Sequence, residues 1–382
     1  MFKKLKTITL CNILIFFIIT AIIGCSKNSS PIHPDIHNKN YETPVFSVEV
    51  LKWFEGHQAA VSITYDALWG QWKAQEKLEF VVDETLRRGL RIDYEFVTAK
   101  YDYPEYEFII DDIRERVIPS GIHFFGHGHE HINHDSLTYD AAYTSFKRCY
   151  DLMKEWNIEP RAYAYPFGAG RKPEIQCANE DAGFICARGV STDPSLYYIC
   201  PGEKTEPDNW QYLPVIPVGQ DEPGYIGSHS DMEPLVQAAL EKNAWIIIMY
   251  HSIGFTEGWG YYPMDEFLKD IDFIEAHDVW GGNMDAVACY IRENNNFQET
   301  VTFLAASDDS IEYEILFHDG LDNAVYNQPL TIEFTFDPEV TINNILVSPT
   351  INGQTRYPVK SGKVQLNVVP DEQKYRMKLM LE

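Results

Sequence analysis

The sequence predicts an α/β domain built on a parallel sheet, followed by a small all-β domain with the pattern of a sandwich. Over roughly 240 residues, from about residue 58, short apolar runs alternate with amphipathic stretches, as in repeated βαβ units. After about Asn296 the runs become short and strand-like, separated by Asp, Asn, Gly and Pro. The predicted division is a signal peptide at 1–24, a tether at 25–45, an α/β domain at 46–296 and a β-sandwich at 297–382.

The first 24 residues have the pattern of an export signal. Three lysines precede an apolar run from about Ile8 to Ile23, which is short for a stable membrane span. The small and apolar residues before Cys25 resemble the lipobox of bacterial lipoproteins. That resemblance implies cleavage before Cys25, a lipid on its side chain and a membrane-anchored position in the bacterial cell envelope, whereas ordinary secretion would leave Cys25 unmodified. Residues 25–45 are polar and Pro-punctuated, as in a flexible tether.

Hydrophobic spacing predicts the elements of the α/β domain in alternating order. The strands are rich in β-branched and aromatic residues, and the helices carry apolar residues three and four apart. The predicted strands span 59–65, 92–97, 121–125, 161–165 and 244–250. The predicted helices span 76–90, 105–117, 139–156, 232–242 and 264–276. In a parallel sheet the carboxyl ends of the strands share one rim, where functional residues gather.

The C-terminal domain is predicted from six short runs of strand character bounded by turn residues. The predicted strands span 301–304, 312–317, 330–336, 342–347, 363–368 and 375–381.

Composition narrows the class of ligand. The 31 basic residues are outnumbered by 57 acidic ones, giving a formal charge of −26. So acidic a chain argues against nucleic acid and other polyanions. Five cysteines follow Cys25, enough for up to two disulfides in an oxidising compartment, and the absence of a CxxC pair argues against a cysteine metal site.

A histidine-rich segment follows the third predicted strand. Together with His123, residues 126–135 hold five of the twelve histidines. His127 and His131 are four apart, so one helical turn would direct both imidazoles at a single metal ion. A solvated polar loop is the alternative for one such run taken alone.

Three further segments lie at predicted strand ends. They are Ser62-Ile63-Thr64-Tyr65-Asp66-Ala67, Arg161-Ala162-Tyr163-Ala164-Tyr165-Pro166-Phe167-Gly168 and Ile247-Ile248-Met249-Tyr250-His251. In order and spacing, these segments and the histidine run resemble the motifs of the polysaccharide deacetylases, carbohydrate esterase family 4. The resemblance covers about residues 58–292. It implies a distorted (β/α) barrel that hydrolyses N- or O-acetyl groups of a polysaccharide or oligosaccharide.

The resemblance also implies a role for each matching position. Asp66 corresponds to the general base, Arg161 to the residue that holds this base, and His251 to the general acid. His127 and His131 correspond to ligands of a divalent metal, Zn²⁺ or otherwise Co²⁺, Ni²⁺ or Mn²⁺. The backbone amide of Phe167 corresponds to an oxyanion donor.

Aromatic side chains near these motifs are candidates for contact with sugar rings. Tyr165 and Trp259 belong to or follow the motif segments, and Trp210 with Asp208 matches a weaker fourth motif in which Asp208 orients His251. A packed loop is the alternative for Trp210 and Trp259.

One position departs from the family pattern. The family's third metal ligand, a second aspartate, is Ala67 here, and a methyl group coordinates no metal. A substitute from Asp66, His129, His134, Asp135 or Glu130 would restore the site, and the sequence does not choose among them. The prediction is therefore a metal-dependent deacetylase, with a catalytically impaired glycan-binding lipoprotein as the alternative.

Overall fold

The computed structural model describes residues 41–220, 222 and 226–382, and residues 41–382 group into one compact unit. The predicted signal peptide and Cys25 lie outside the described residues. Among the helices of the described ranges, none has the length and apolar character needed to cross a membrane.

Strands and helices alternate through the first part of the structure. The strands are β1 Phe46–Val50, β2 Ala59–Tyr65, β3 Ile92–Phe96, β4 His123–Gly126, β5 Ala162–Ala164, β6 Cys186–Arg188, β7 Ile216–Pro217, β8 Trp245–Tyr250, β9 Ser252–Ile253, β10 Tyr261–Tyr262 and β11 Val279–Gly281. The helices are α1 Gln75–Arg87, α2 Glu107–Asp112, α3 Tyr139–Glu155, α4 Pro173–Ala182, α5 His229–Glu241, α6 Met264–Glu275 and α7 Met284–Asn296.

Seven of these strands form one curled parallel sheet in the order β6-β5-β4-β3-β2-β8-β7, and β11 pairs with β2. Every residue of β2 and of β8 is buried, as expected of parallel strands covered on both faces. One apolar layer lies between the sheet and the helices, and a second fills the inside of the curl. The predicted fold class, a distorted (β/α) barrel, is confirmed.

Local sequence explains the helices that surround the sheet. On α3 the buried residues Ala142, Phe146, Cys149 and Met153 recur every three or four positions, and Thr138 caps the first turn by accepting from the Ala141 amide. The predicted helix over 105–117 ends as an α-helix at Asp112 and continues through a π-helical turn over 113–117.

Two antiparallel sheets follow the barrel. Their additional strands are β12 Gln298–Ser307, β13 Ser310–His318, β14 Leu330–Phe336, β15 Ile342–Ile351, β16 Gln354–Pro358, β17 Lys363–Val368 and β18 Asp371–Leu381. The sheet β12-β13-β18-β15-β16 lies against the sheet β1-β14-β17, and the rings of Phe46 and Tyr313, 5.2 Å apart, join the two. The small β-sandwich is thus present.

The amino-terminal boundary differs from the prediction. Strand β1, expected in the barrel domain, pairs with β14 from Phe46 opposite Phe336 to Val50 opposite Ile332. The last residues of the expected tether also pack on this domain, where Tyr41 accepts from the Tyr313 hydroxyl. A pairing between segments so distant in sequence leaves no trace in local hydrophobic pattern.

The described cysteines are all free, so the two disulfides that the composition allowed do not form among them. Four of the five are buried, and Cys177 is exposed.

Candidate active site

Strand register places three polar residues on the inner face of the barrel. Tyr65 pairs with Tyr94 of β3, and both belong to the apolar layer under the helices. Because successive strand residues point to opposite faces, Asp66 and Glu95, the next residues along, point into the barrel. His251 directly follows β8, the strand on the other side of β2. These three residues lie at the carboxyl ends of adjacent strands, where parallel sheets place their sites.

Arg188, the last residue of β6, crosses the barrel interior to hold Asp66. Its side chain is 1% exposed and its Nη2 donates to Asp66 Oδ1. On the way it lies over the Phe125 ring, 4.9 Å from the centroid, and its Nη1 is 3.2 Å from Met249 Sδ. Such a buried guanidinium keeps the carboxylate in one orientation.

The charge state of Asp66 follows from a balance of opposing effects. Burial alone raises the pKa of this carboxyl, but the positive charge of Arg188 and its hydrogen bond outweigh burial and lower the pKa below its ordinary value. Asp66 is therefore ionised at neutral pH, as a general base must be.

The predicted contact between Arg161 and Asp66 is corrected here. Arg161 precedes β5 and so lies at the amino end of that strand, the opposite end of the barrel from Asp66. There its Nη2 donates to Asn327 Oδ1 at 3.1 Å, and its Nη1 is 3.9 Å from Asp285 Oδ2. The role expected of Arg161 is taken by Arg188, one strand further along.

The two predicted metal-binding histidines come together, although not on a helix. The residues between β4 and Asn133 form a loop in which Gly128 has a φ of +91°. A Cβ at Gly128 would lie 2.6 Å from the Glu130 carbonyl oxygen, so only glycine permits this bend. The bend brings the rings of His127 and His131 to 4.9 Å between centroids.

His127 has two different partners. Its Nδ1 is 2.9 Å from the Ala164 carbonyl oxygen, which can only accept, so Nδ1 carries the proton. Its Nε2 is 3.4 Å from Glu95 Oε2. Burial lowers the pKa of His127 to about 3, which keeps the imidazole neutral. Burial and the nearby charge of Asp66 raise the pKa of Glu95 well above its usual range.

Glu222 and Trp259 complete the surroundings of His251. Nε2 of His251 is 3.8 Å from Asp66 Oδ2, and Nδ1 is 3.0 Å from Glu222 Oε1. Glu222 Oε1 also accepts from Trp259 Nε1 at 2.8 Å. The expected partner Asp208 is instead an exposed residue bonded to Lys204, and Glu222 is the carboxylate that lies beside His251.

The aromatic residues predicted to contact substrate divide into two groups. Phe167 and Trp259 are exposed beside the site: the Phe167 ring is 4.6 Å from that of His131, and Trp259 is 61% exposed. Phe167 also has a φ of +59°, an uncommon conformation for a residue with a Cβ and one often found at functional sites.

Tyr165 and Trp210 do not face the site, which corrects both predictions. Tyr165 is 2% exposed and packs in the apolar layer, since it continues the outward-facing alternation of β5. Trp210 stacks on Arg292 at 4.4 Å, and that arginine donates to the Ile185 carbonyl at the amino end of β6. Trp210 therefore packs at the opposite rim.

The residues that could replace the missing aspartate have other partners. His134 is buried and stacked on Phe146, and His129 Nδ1 bonds the Thr98 hydroxyl. Asp135 accepts from the backbone amides of residues 171 and 172, and Glu130 is exposed.

The donor set suits a divalent metal in its chemistry. Two imidazoles and a carboxylate are the usual ligands of zinc, and the Ala164 carbonyl fixes one ring as outer-shell partners commonly do. In the described part of the chain, no three His, Cys, Asp or Glu side chains are already arranged as a metal cluster. The side chains are thus neighbours that an ion would still have to draw together.

Solved structures with a similar fold include polysaccharide deacetylases of carbohydrate esterase family 4. A protein from Mycobacterium smegmatis assigned as a polysaccharide deacetylase is 15% identical, with a TM-score of 0.47, covering 68% of this chain and 98% of that one. The family 4 carbohydrate esterase from Streptomyces lividans is 12% identical (TM-score 0.35; 58% and 88% covered). A family 4 pseudoenzyme from Bacillus anthracis is also 12% identical (TM-score 0.39; 60% and 65% covered).

No protein-family model matches the sequence, and no curated protein matches it. Similarities this distant do not identify the reaction. The chemistry of the site is therefore argued from the residues of this chain.

Sequence reasoning missed three residues of the site. Glu95 could have been noticed in the sequence, because it is an acidic residue inside a predicted strand. Arg188 ends a three-residue strand too short to show a period. Glu222 lies in a loop and carries no local signal.

Proposed function

We propose that this protein is a metal-dependent deacetylase that hydrolyses N- or O-acetyl groups of a neutral polysaccharide or oligosaccharide. The observation that carries the proposal is the arrangement of Asp66 between Arg188 and His251, beside the paired rings of His127 and His131. An ionised base, an imidazole and two neutral metal-binding rings form a set suited to acyl hydrolysis.

The roles follow from position. Asp66 accepts a proton from water as the water oxygen bonds to the acetyl carbon. His251, held by Glu222, gives a proton to the departing nitrogen or oxygen as its bond to that carbon breaks, releasing acetate. The Phe167 amide would donate to the carbonyl oxygen. A divalent ion held by His127 and His131 would polarise that carbonyl.

Two features favour a neutral glycan as substrate. Phe167 and Trp259 offer exposed ring faces at the two sides of the site, and aromatic faces suit sugar rings. The net charge of −26 disfavours polyanions.

The test is acetate release from acetylated xylan, chitooligosaccharides and peptidoglycan by the zinc-loaded protein. Wild type should release acetate from at least one of them, and His127→Ala should abolish both metal uptake and release. Activity unchanged in His127→Ala would refute the assignment.

The missing carboxylate at position 67 favours a second candidate, a glycan-binding protein on an inactive deacetylase scaffold. Metal analysis separates the two. A stoichiometric bound metal supports the enzyme, whereas glycan binding with neither metal nor acetate release supports the binder.

We also propose that the protein is anchored in the bacterial cell envelope by a lipid on Cys25, on the basis of the lipobox-like sequence. Cys25→Ser should move the protein from the membrane to the soluble fraction. Unchanged membrane association of this variant would refute the anchor.

A further inference from the structure

Glu95 is a second buried carboxyl group beside the paired histidines. It is the fourth residue of β3, points into the barrel beside Asp66 and has a side chain 11% exposed. We infer that Glu95 supplies the third protein ligand of the metal, completing with His127 and His131 a set that position 67 leaves incomplete. This inference rests on the proposed function and specifies its metal site.

The contact between Glu95 and His127 has the geometry of two ligands rather than of a hydrogen bond. Nδ1 of His127 donates to the Ala164 carbonyl, so in the neutral ring Nε2 presents a lone pair to Glu95. A carboxylate oxygen also presents lone pairs, so a proton or a cation must lie between these atoms. Their separation is 3.4 Å, beyond the roughly 2.7–2.9 Å of a charge-assisted hydrogen bond.

The same separation fits a shared tetrahedral ion. Two ligands, each about 2.0–2.1 Å from tetrahedral zinc, lie roughly 3.3–3.4 Å from one another. The Glu95–His127 distance matches this edge. His131, with its ring centroid 4.9 Å from that of His127, is within reach to complete the set.

The pairing of the other charged groups leaves Glu95 available to a cation. Arg188 is bound to Asp66, which leaves Glu95 as a second carboxylate in the same buried space. A divalent ion at the imidazoles would compensate the charge that Glu95 carries as a ligand, while leaving the Arg188–Asp66 pair intact. Asp66 then stays free to act as the base.

The experiment is a competition titration of Zn²⁺ into the purified full-length protein and three variants. Glu95→Gln keeps the shape of the side chain but removes its charge, and His127→Ala removes an expected ligand. Glu130→Gln is the matched control, because Glu130 is an exposed glutamate next to His131. Thermal unfolding of the metal-free proteins checks that each variant is folded.

We expect Glu95→Gln to weaken zinc affinity by about 100-fold or more, since even outer-shell changes cost 10–100-fold. Glu130→Gln should bind as wild type does. With Co²⁺ as the probe, wild type should give the intense visible absorption of a tetrahedral site, and folded Glu95→Gln should lose it.

Two contrary outcomes are distinguishable. If Glu95→Gln binds zinc as wild type does while His127→Ala does not, Glu95 is not a ligand, and the proposed function survives. If folded wild type binds no zinc, both the inference and the metal-dependent function are overturned.

Discussion

Replacing Arg188 tests the finding that Arg188, and not Arg161, holds Asp66. Arg188→Met keeps the apolar stem over Phe125 but leaves Asp66 buried without its guanidinium. Removing one partner of a buried ion pair costs about 3–5 kcal/mol, because the remaining charge is uncompensated. Because residues 41–382 form one unit, the melting temperature should fall by roughly 4–7 °C.

The loss of stability should arise specifically from the broken Arg188–Asp66 ion pair. Asp66→Asn in the Arg188→Met background removes the stranded charge, so the double variant should recover most of the stability that the single variant loses. Differential scanning calorimetry of the four proteins gives the coupling. Additive losses would contradict a direct interaction.

Arg188 should also affect the rate of catalysis, because it positions the base Asp66. A misplaced base costs on the order of 100-fold, so Arg188→Met should lower kcat by about that factor with little change in KM. Arg188→Lys keeps the charge but not the planar fork, and should recover only part of the rate. Initial rates of acetate release provide the measurement.

Arg161→Gln is the matched control. Arg161 lies at the other end of the barrel on Asn327, so its loss should change kcat by less than about threefold. A loss of rate in Arg161→Gln that exceeds the loss in Arg188→Met would show that Arg188 is not the residue that positions Asp66.

Three further predictions concern other contacts. Glu222→Gln should lower kcat by about 10- to 100-fold without weakening zinc binding, since Glu222 orients His251; unchanged rates would contradict this. Phe167→Ala keeps the backbone amide but removes the ring beside the site, so KM for an oligosaccharide should rise about 2- to 10-fold, equivalent to about 0.5–1.5 kcal/mol of stacking. An unchanged KM would exclude a substrate contact. Burial raises the pKa of Glu293 to about 8, against an unfolded value near 4.3, so the folded state retains a proton that the unfolded chain loses. Stability should therefore fall by roughly 3–5 kcal/mol as pH rises from about 4.5 to 8, and Glu293→Gln should flatten this decline in urea unfolding; an equal decline in the variant would contradict the assignment.

The sequence was most informative where the pattern was long or strongly apolar. The strand 59–65 and the strand 330–336 have the predicted bounds, and the helix predicted over 139–156 ends one residue earlier. A parallel strand buried on both faces appears in the sequence as a continuous apolar run. An amphipathic helix repeats its apolar residues every three or four positions over several turns.

Short elements and long-range pairings were the ones missed. Helix α4 and strand β6 were not predicted, although β6 brings Arg188 to the site. The pairing of β1 with β14 spans almost the whole described chain and has no local signature.

Only those site residues that directly follow a predicted strand in the sequence could be predicted. Asp66, His127, His131 and His251 each follow a predicted strand. Their partners come from other strands and loops, and only the register of the folded sheet brings those partners in.

The most direct test of the account is a zinc anomalous difference map from crystals of the zinc-loaded protein. We expect one peak about 2.0–2.2 Å from a nitrogen of both His127 and His131, on the side facing Asp66. Crystals with no peak there, or with the two rings turned away from a common point, would contradict it.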